Sequence, residues 1–306
     1  MPDTVTIAHL SDVHLSPVRG FTPGHWNAKR GLGFINWHRK RRHVHMRAVA
    51  DRIVADIKLH RPDHIALTGD LINIGLPAEY DAAAHWLASV GAPTHVSLVP
   101  GNHDIYCRLG RDPGIGRWQA YMTSDDWGRQ AGGAAATGFP YVRRVGPVAI
   151  VGLCSAVETA PGMATGRIGP AQLAAATRIL TRLATEPVFR LVLIHHPPLP
   201  GQTRPRHELL DAATVADALA QSSADLVLHG HTHLPTHVSL PRSGQPLHVL
   251  GVASASAGSR RGHDPLAQFS LLRIGRQGDA WQITLTRRGL REPDGDIVEI
   301  ERIQLA

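Results

Sequence analysis

Short apolar runs alternate with amphipathic ones through the first hundred residues of this chain, and that alternation restricts the fold more than any other feature. Thr4 to Leu10, His64 to Thr68 and Val96 to Val99 are too short for core helices and read as buried strands. Between them Met46, Ala50, Ile53 and Ile57 recur at helical spacing until Arg61-Pro62 ends the run, and Pro77 to Val90 reads as a second helix. Strand, helix, strand, helix, strand implies a parallel or mostly parallel sheet, because parallel neighbours must be joined by a long crossover. The expected fold class is α/β, with ligands bound at the carboxyl edge of the sheet.

The rest of the chain continues in kind. Tyr141 to Val145 and Val148 to Leu153 read as an antiparallel pair turning at Gly146-Pro147, and Pro170 to Ala184 and Asp211 to Gln221 read as helices. Leu191 to Ile194 and Asp225 to Leu228 are further buried strands, and four short ones follow: Val249 to Ala253, Phe269 to Ile274, Trp281 to Thr286 and Ile297 to Ile303. Residues 107–140 are Gly-rich without a clear period, and Trp118, Tyr121 and Trp127 are expected to pack a cover over the sheet edge. No repeat or linker divides the 306 residues. One domain over 1–306 is expected, with an insertion at about 15–42 and a C-terminal β extension at about 260–306.

Five strands run straight into polar side chains. Asp12 with His14 follows the first, Asp70 the second, and Asn102, His103 and Asp104 the third; His195 and the pair His231 and His233 follow the strands ending at Ile194 and Leu228. Asp12 and His14 lie two apart on extended chain, so carboxylate and imidazole can reach one ion. Asn102 offers a neutral amide oxygen, His103 a proton donor near neutral pH, and Asp104 a carboxylate that could orient the imidazole. A single Asp-x-His would be noise. Five such loops, each directly after an apolar strand, point to a shared site.

Composition narrows the classes. With 43% hydrophobic and 19% charged residues the chain is globular, and no stretch approaches the apolar length that spans a bilayer. Met1-Pro2-Asp3-Thr4 lacks a basic region ahead of an apolar core, so a cytoplasmic location is expected. Cys107 and Cys154 are too few for a disulfide framework and read as free thiols. The formal charge of +7 is local: between Val13 and Ala50 there is no acidic residue, and Arg19, Lys29, Arg30, Arg39, Lys40, Arg41, Arg42 and Arg47 are all basic. Removing those eight charges from +7 leaves −1 for the remainder, so one anionic contact zone is expected rather than a nucleic-acid track.

The ordered set Asp12-x-His14, Gly69-Asp70, Gly101-Asn102-His103-Asp104, His195-His196-Pro197-Pro198 and Gly230-His231-Thr232-His233 resembles the calcineurin-like metallophosphoesterase superfamily from residue 5 to about 255. The resemblance implies a four-layer α/β/β/α sandwich, two mixed β-sheets flanked by helices, with two divalent metal ions at its edge. Carried over by motif, Asp12, His14 and His233 hold one ion, Asn102, His195 and His231 hold the other, and Asp70 bridges them. Manganese, iron and zinc all suit such mixed ligation. Two divalent ions, two carboxylates and a bridging hydroxide leave about +1, which attracts phosphate. The expected reaction is attack of that hydroxide on phosphorus, with His103 as general acid and Asp104 holding its ring.

The His-His-Pro-Pro and Gly-Asn-His-Asp forms are similar to those of bacterial cyclic-nucleotide and glycerophosphodiester hydrolases, which makes a small phosphodiester the expected substrate. Two alternatives stand beside it. One is a membrane-associated hydrolase of a nucleotide-lipid or other lipid phosphoester, in which Phe34, Ile35, Trp37 and the basic patch at 29–47 dock on an anionic membrane surface. The other is a non-catalytic scaffold, disfavoured because every ligand position is filled. His9, His196 and His229 read as packed strand-end histidines, and His25, His38, His43 and His45 as a surface His-rich helix start. Oligomeric state has no signature in the sequence.

Overall fold

The computed structural model describes residues 4–134, 138–242, 245–260, 262, 264–278 and 280–305. Among them, twelve strands form two six-stranded mixed sheets. The first runs in the order β12 (Ile297–Gln304), β11 (Ala280–Leu290), β10 (Gln268–Gln277), β1 (Thr4–Leu10), β2 (His64–Leu67), β3 (Val96–Leu98). The second runs β4 (Tyr141–Val145), β5 (Val148–Gly152), β6 (Phe189–Leu193), β7 (Leu226–His229), β9 (Leu247–Gly251), β8 (His237–Leu240). Strands β1, β2 and β3 are parallel, as are β5, β6, β7 and β9.

The expectation of a mostly parallel sheet is corrected for the first sheet. The C-terminal strands pair antiparallel onto the open side of β1, with Ile7 opposite Leu272, and so supply half of that sheet. Strand β8 was not anticipated: a four-residue edge strand with a half-exposed pattern carries little apolar signal.

Helices α2 (Arg47–Leu59) and α3 (Pro77–Val90) cross over between β1, β2 and β3, while α5 (Pro170–Leu183) and α6 (Ala212–Gln221) do so between β5, β6 and β7. Side-chain alternation explains the layers. Val148 and Ile150 of β5 join Phe189, Leu191, Val5 and Ile7 in the core between the sheets. Ala149 and Val151 face the opposite way, onto Ile179 and Leu183 of α5 and Val215 of α6. Each such fully buried Leu or Ile contributes roughly 1.5–3 kcal/mol. The result is the four-layer sandwich, rigid where its parallel strands end.

Residues 107–140 contain a 3-10 stretch, Gly114–Met122, and a short helix α4 (Asp126–Gln130). Trp118 is fully buried, its Nε1 donating to the Tyr80 carbonyl (3.1 Å), and the Tyr121 hydroxyl donates to the Gly91 carbonyl (3.1 Å). This segment therefore caps α3 and the β3 edge.

The basic insertion folds around α1 (Ala28–Arg39), started by Asn27, whose side chain accepts from Arg30 N. Phe21, Phe34 and Trp37 pack with Val18, Ile74, Leu76 and Tyr106 into a small separate core. Two of the bases are not solvated, contrary to a uniform basic face. The Arg30 guanidinium donates to the carbonyls of His25, Ile74 and Gly75, and Lys29 Nζ donates to Thr159 Oγ1 (2.8 Å).

Candidate metal centre

The five polar loops converge because β1, β2 and β3 end on the same side as β6 and β7 of the facing sheet. Backbone bonds tie the loops together: Asp12 N donates to Gly69 O and His14 N to Asp70 O, both at 2.9 Å, and Gly230 N donates to His195 O at 3.0 Å. Beyond β1, Ser11 bridges to Ser254 of the chain that leaves β9.

Strain is concentrated here. Asp12, His14, Asp70, His231 and His233 have φ of 55°, 42°, 56°, 68° and 58°, five of the seven non-glycine residues with positive φ among those described. Left-handed backbone costs a non-glycine residue on the order of 1 kcal/mol or more, which the surrounding sheets absorb. Two glycines are required by close approach. A Cβ on Gly69, itself at φ +93°, would meet the Val99 carbonyl oxygen at 2.8 Å, and one on Gly230 would strike the Ser11 hydroxyl and Asp12 Oδ2.

The expected ligands face one another. Asp12 Oδ1 lies 3.2 Å from His233 Nε2 and 4.0 Å from His14 Nε2, and the two imidazole nitrogens are 3.4 Å apart. In the second group, His195 Nε2 lies 3.2 Å from both Asn102 Oδ1 and His231 Nδ1. Asp70 Oδ2 stands between the groups, 3.8 Å from His14 Nε2 and 3.5 Å from His195 Nε2, while its Oδ1 accepts from His103 N at 2.8 Å.

The outer nitrogens fix the rings. His14 Nδ1 donates to Ile72 O (3.2 Å), His195 Nδ1 to Thr68 O (2.6 Å) and His231 Nε2 to His207 O (2.8 Å). Each bond commits the proton to the outer nitrogen and turns the inner lone pair into the site, the tautomer a cation needs.

Electrostatics favour positive charge in the same place. Burial raises the Asp12 and Asp70 carboxyls, but the histidines beside them more than offset it and hold both well below the usual carboxylate range. Burial lowers His195, yet the Asp70 carboxylate beside it outweighs that and lifts it to about 9. Asp12 Oδ1 is buried with no hydrogen-bond partner among the described residues. An orphaned buried carboxylate oxygen aimed at two imidazole lone pairs fits a divalent ion. Asp12, His14 and His233 form one cluster with mutually close donors, and Asp12, Asp70 and His195 another.

Two expectations about the third loop change. Asp104 does not hold the His103 ring: its Oδ1 accepts from Leu71 N (2.9 Å) and Ile72 N (3.3 Å), and its Oδ2 from Asp70 N (2.8 Å) and Gly101 N (2.9 Å). The carboxylate is thus a brace between the Asp70 and Asn102 loops. His103 Nδ1 instead bonds the Asn73 carbonyl, in a turn organised by buried Glu79, and its Nε2 faces Arg41 Nη1 at 2.7 Å. Burial, with the Arg41 charge behind it, holds the His103 imidazole down at about 3, so the ring rests neutral and accepts from the guanidinium.

Three contributors escaped the sequence reading. His45, expected at the surface, is buried with its ring 4.6 Å from that of His14 and 5.4 Å from that of His233, and its Nδ1 bonds Ser256 Oγ (2.9 Å). His207 supplies a carbonyl to His231 from a loop with no motif of its own. Arg41 leaves the basic run to enter the site. Only the count of bases near the Asp12 loop hinted at it. His196, in contrast, is the packed residue expected: Nδ1 bonds Ser155 Oγ (2.8 Å) and Nε2 the Ala164 carbonyl (3.1 Å), leaving no free lone pair.

Comparison with known proteins agrees with the fold. A dimetal phosphatase from Danio rerio superimposes with a TM-score of 0.62 at 14% identity, covering 98% of each chain. Purple acid phosphatase PPD1 from yellow lupin gives 0.54 at 12% identity over 99% of this chain and 54% of its own. In sequence, 44 residues are 43% identical to glycerophosphodiester phosphodiesterase GpdQ of Enterobacter lignolyticus, a stretch that covers 14% of this chain and 15% of that protein. The family model for calcineurin-like phosphoesterases matches residues 5–235, three quarters of the chain and all five ligand loops, and the protein belongs to that family.

Proposed function

We propose that this chain is a dinuclear metal-dependent phosphodiesterase acting on a small phosphodiester of the cyclic-nucleotide or glycerophosphodiester type. The observation that carries the reading is Asp70, whose Oδ2 stands between two groups of inward-facing donors, 3.8 Å from His14 Nε2 and 3.5 Å from His195 Nε2. In this assignment Asp12, His14 and His233 hold one cation, Asn102, His195 and His231 the other, and Asp70 both. When bound, such a pair acidifies water and neutralises charge gathering on the phosphoryl oxygens. The similarity of the 44-residue stretch to a glycerophosphodiester phosphodiesterase supports the diester preference.

The chain's own residues do the rest. Neutral His103 keeps Nε2 on Arg41, so an arriving phosphodiester anion meets a guanidinium already aimed at the site. Drawing Arg41 onto the phosphate frees Nε2, and the anion's charge raises the affinity of the ring for a proton. Nε2 then takes a proton from solvent and gives it to the leaving oxygen, with Nδ1 anchored on Asn73 O.

The test is apo-protein reconstituted with manganese, iron or zinc and assayed on an aryl diester, an aryl monoester, cyclic nucleotides and glycerophosphodiesters. Diesters should turn over fastest; a preference for the monoester overturns the diester assignment. His103→Ala should retain both metals and lose about 10²–10⁴ in kcat. Loss of a metal equivalent in that variant would instead make His103 a ligand.

A further inference from the structure

One face of α1 is covered by none of the described residues. Leu32, Ile35 and Arg39, spaced i, i+3 and i+7, all point outward, with Leu32 56% and Ile35 45% exposed. Beside the helix start, the Trp26 ring lies across Gly31, where a Cβ would come within 2.6 Å of it, and stays 62% exposed. Phe34 and Trp37, the aromatics expected to dock, turn inward instead. The outward surface is a different set from the one the sequence suggested.

Charge identifies what covers this face. At its C-terminal end Arg39, Lys40 and Arg42 are exposed, and residues 13–50 contain no Asp or Glu to neutralise them. Among the described residues Arg42 bonds to His38 and His43. An indole and two aliphatic side chains in line with three unneutralised bases is the pattern of a helix lying in a membrane interface, apolar side in the acyl boundary and bases among the phosphates. A second copy of the same face would bring like charges together. An acidic protein partner would match the bases but leave the Trp26, Leu32 and Ile35 row without a reason.

We infer that α1 docks this protein on an anionic lipid bilayer, with Trp26, Leu32 and Ile35 inserted and Arg39, Lys40 and Arg42 on the headgroups. Arg41, between Lys40 and Arg42 in the same run, turns inward to His103, so the docking face and the metal centre share one basic segment. No helix among the described residues is long and apolar enough to cross a membrane, which leaves attachment of this kind peripheral.

The experiment is co-sedimentation of the full chain with vesicles of equal parts phosphatidylglycerol and phosphatidylcholine, against phosphatidylcholine alone, at low and high salt. Binding is expected to the anionic vesicles and to weaken in salt. At about 1 kcal/mol per base near the surface, each lost charge weakens binding about fivefold, so Arg39→Gln, Lys40→Gln and Arg42→Gln together cost on the order of a hundredfold. The pair Leu32→Glu and Ile35→Glu should abolish binding while leaving hydrolysis of a soluble aryl diester unchanged. Absent binding by the wild type, or a triple variant that binds like it, overturns the proposal. So does a dimer in solution that the Leu32 and Ile35 changes dissolve, which would make this the contact between two copies. Vesicle binding without any hydrolysis would leave the docking intact and refute the phosphodiesterase reading instead.

Discussion

Asp104→Asn separates a brace from a catalytic partner. In the wild type each carboxylate oxygen accepts two backbone N–H groups, Leu71 and Ile72 on one and Asp70 and Gly101 on the other. An amide of the same shape keeps one oxygen and puts an NH2 against the other two donors. It would turn its nitrogen toward Leu71 and Ile72, where the 3.3 Å bond is the weakest of the four. Two buried N–H groups without acceptors cost about 1–3 kcal/mol each, so a loss of about 2–6 kcal/mol is expected. For 306 residues, an unfolding entropy of about 2.1 cal/mol/K per residue converts this to a fall in Tm of about 3–9 °C. Burial and then the Asp70 charge push the Asp104 carboxyl up to about 7, while the Gly101 N–H pulls it back, so the measurement belongs at pH 8.5, where the carboxylate prevails. Thermal and urea unfolding of the metal-free protein isolate the brace from any effect on metal binding. An unchanged Tm with a large loss of kcat would refute the brace and restore Asp104 as the orienter of His103.

Two further outcomes follow from the same contacts. His64 is buried with Nε2 on Ser97 Oγ (2.8 Å), and burial, then the Arg143 charge, hold it at about 3. The unfolded chain protonates this ring near 6.5 and the folded one does not, so stability falls as pH drops from 6.5 toward 3, by up to about 4–5 kcal/mol. His64→Gln should shallow the acid limb of a stability–pH curve by one proton, and parallel limbs for the two proteins would discount the buried neutral ring. Chelation should lower the Tm, because Asp12 Oδ1 is left without a partner; metal at a hundred times Kd adds about 2.7 kcal/mol per site. Calorimetry with and without a chelator reads this, and identical transitions would argue against resident cations.

Much of the fold was legible because it rests on local rules. The Pro77–Val90 helix and the Thr4–Leu10 strand fall at their expected ends, since proline and the switch from a 3.6 to a 2.0 apolar period mark them in the chain itself. The antiparallel half of the first sheet was not legible. Nothing in Phe269 to Ile274 says that its partner lies more than two hundred residues upstream on β1.

The same division runs through the site. Ligand types, their order and the strand ends that carry them are properties of sequence, because a loop inherits its position from the strand before it. What each side chain does there was decided by tertiary contact. Asp104 became a brace because four N–H groups from two loops point at it, and Arg41 entered the site while its neighbours Lys40 and Arg42 stayed in solvent. His45, three residues from Arg42, was drawn beneath His14 by a seryl hydroxyl on the far side of the chain. A side chain's chemistry is written in its residue type, but the charges and donors that complete it arrive from distant segments, and only folding brings those within bonding distance.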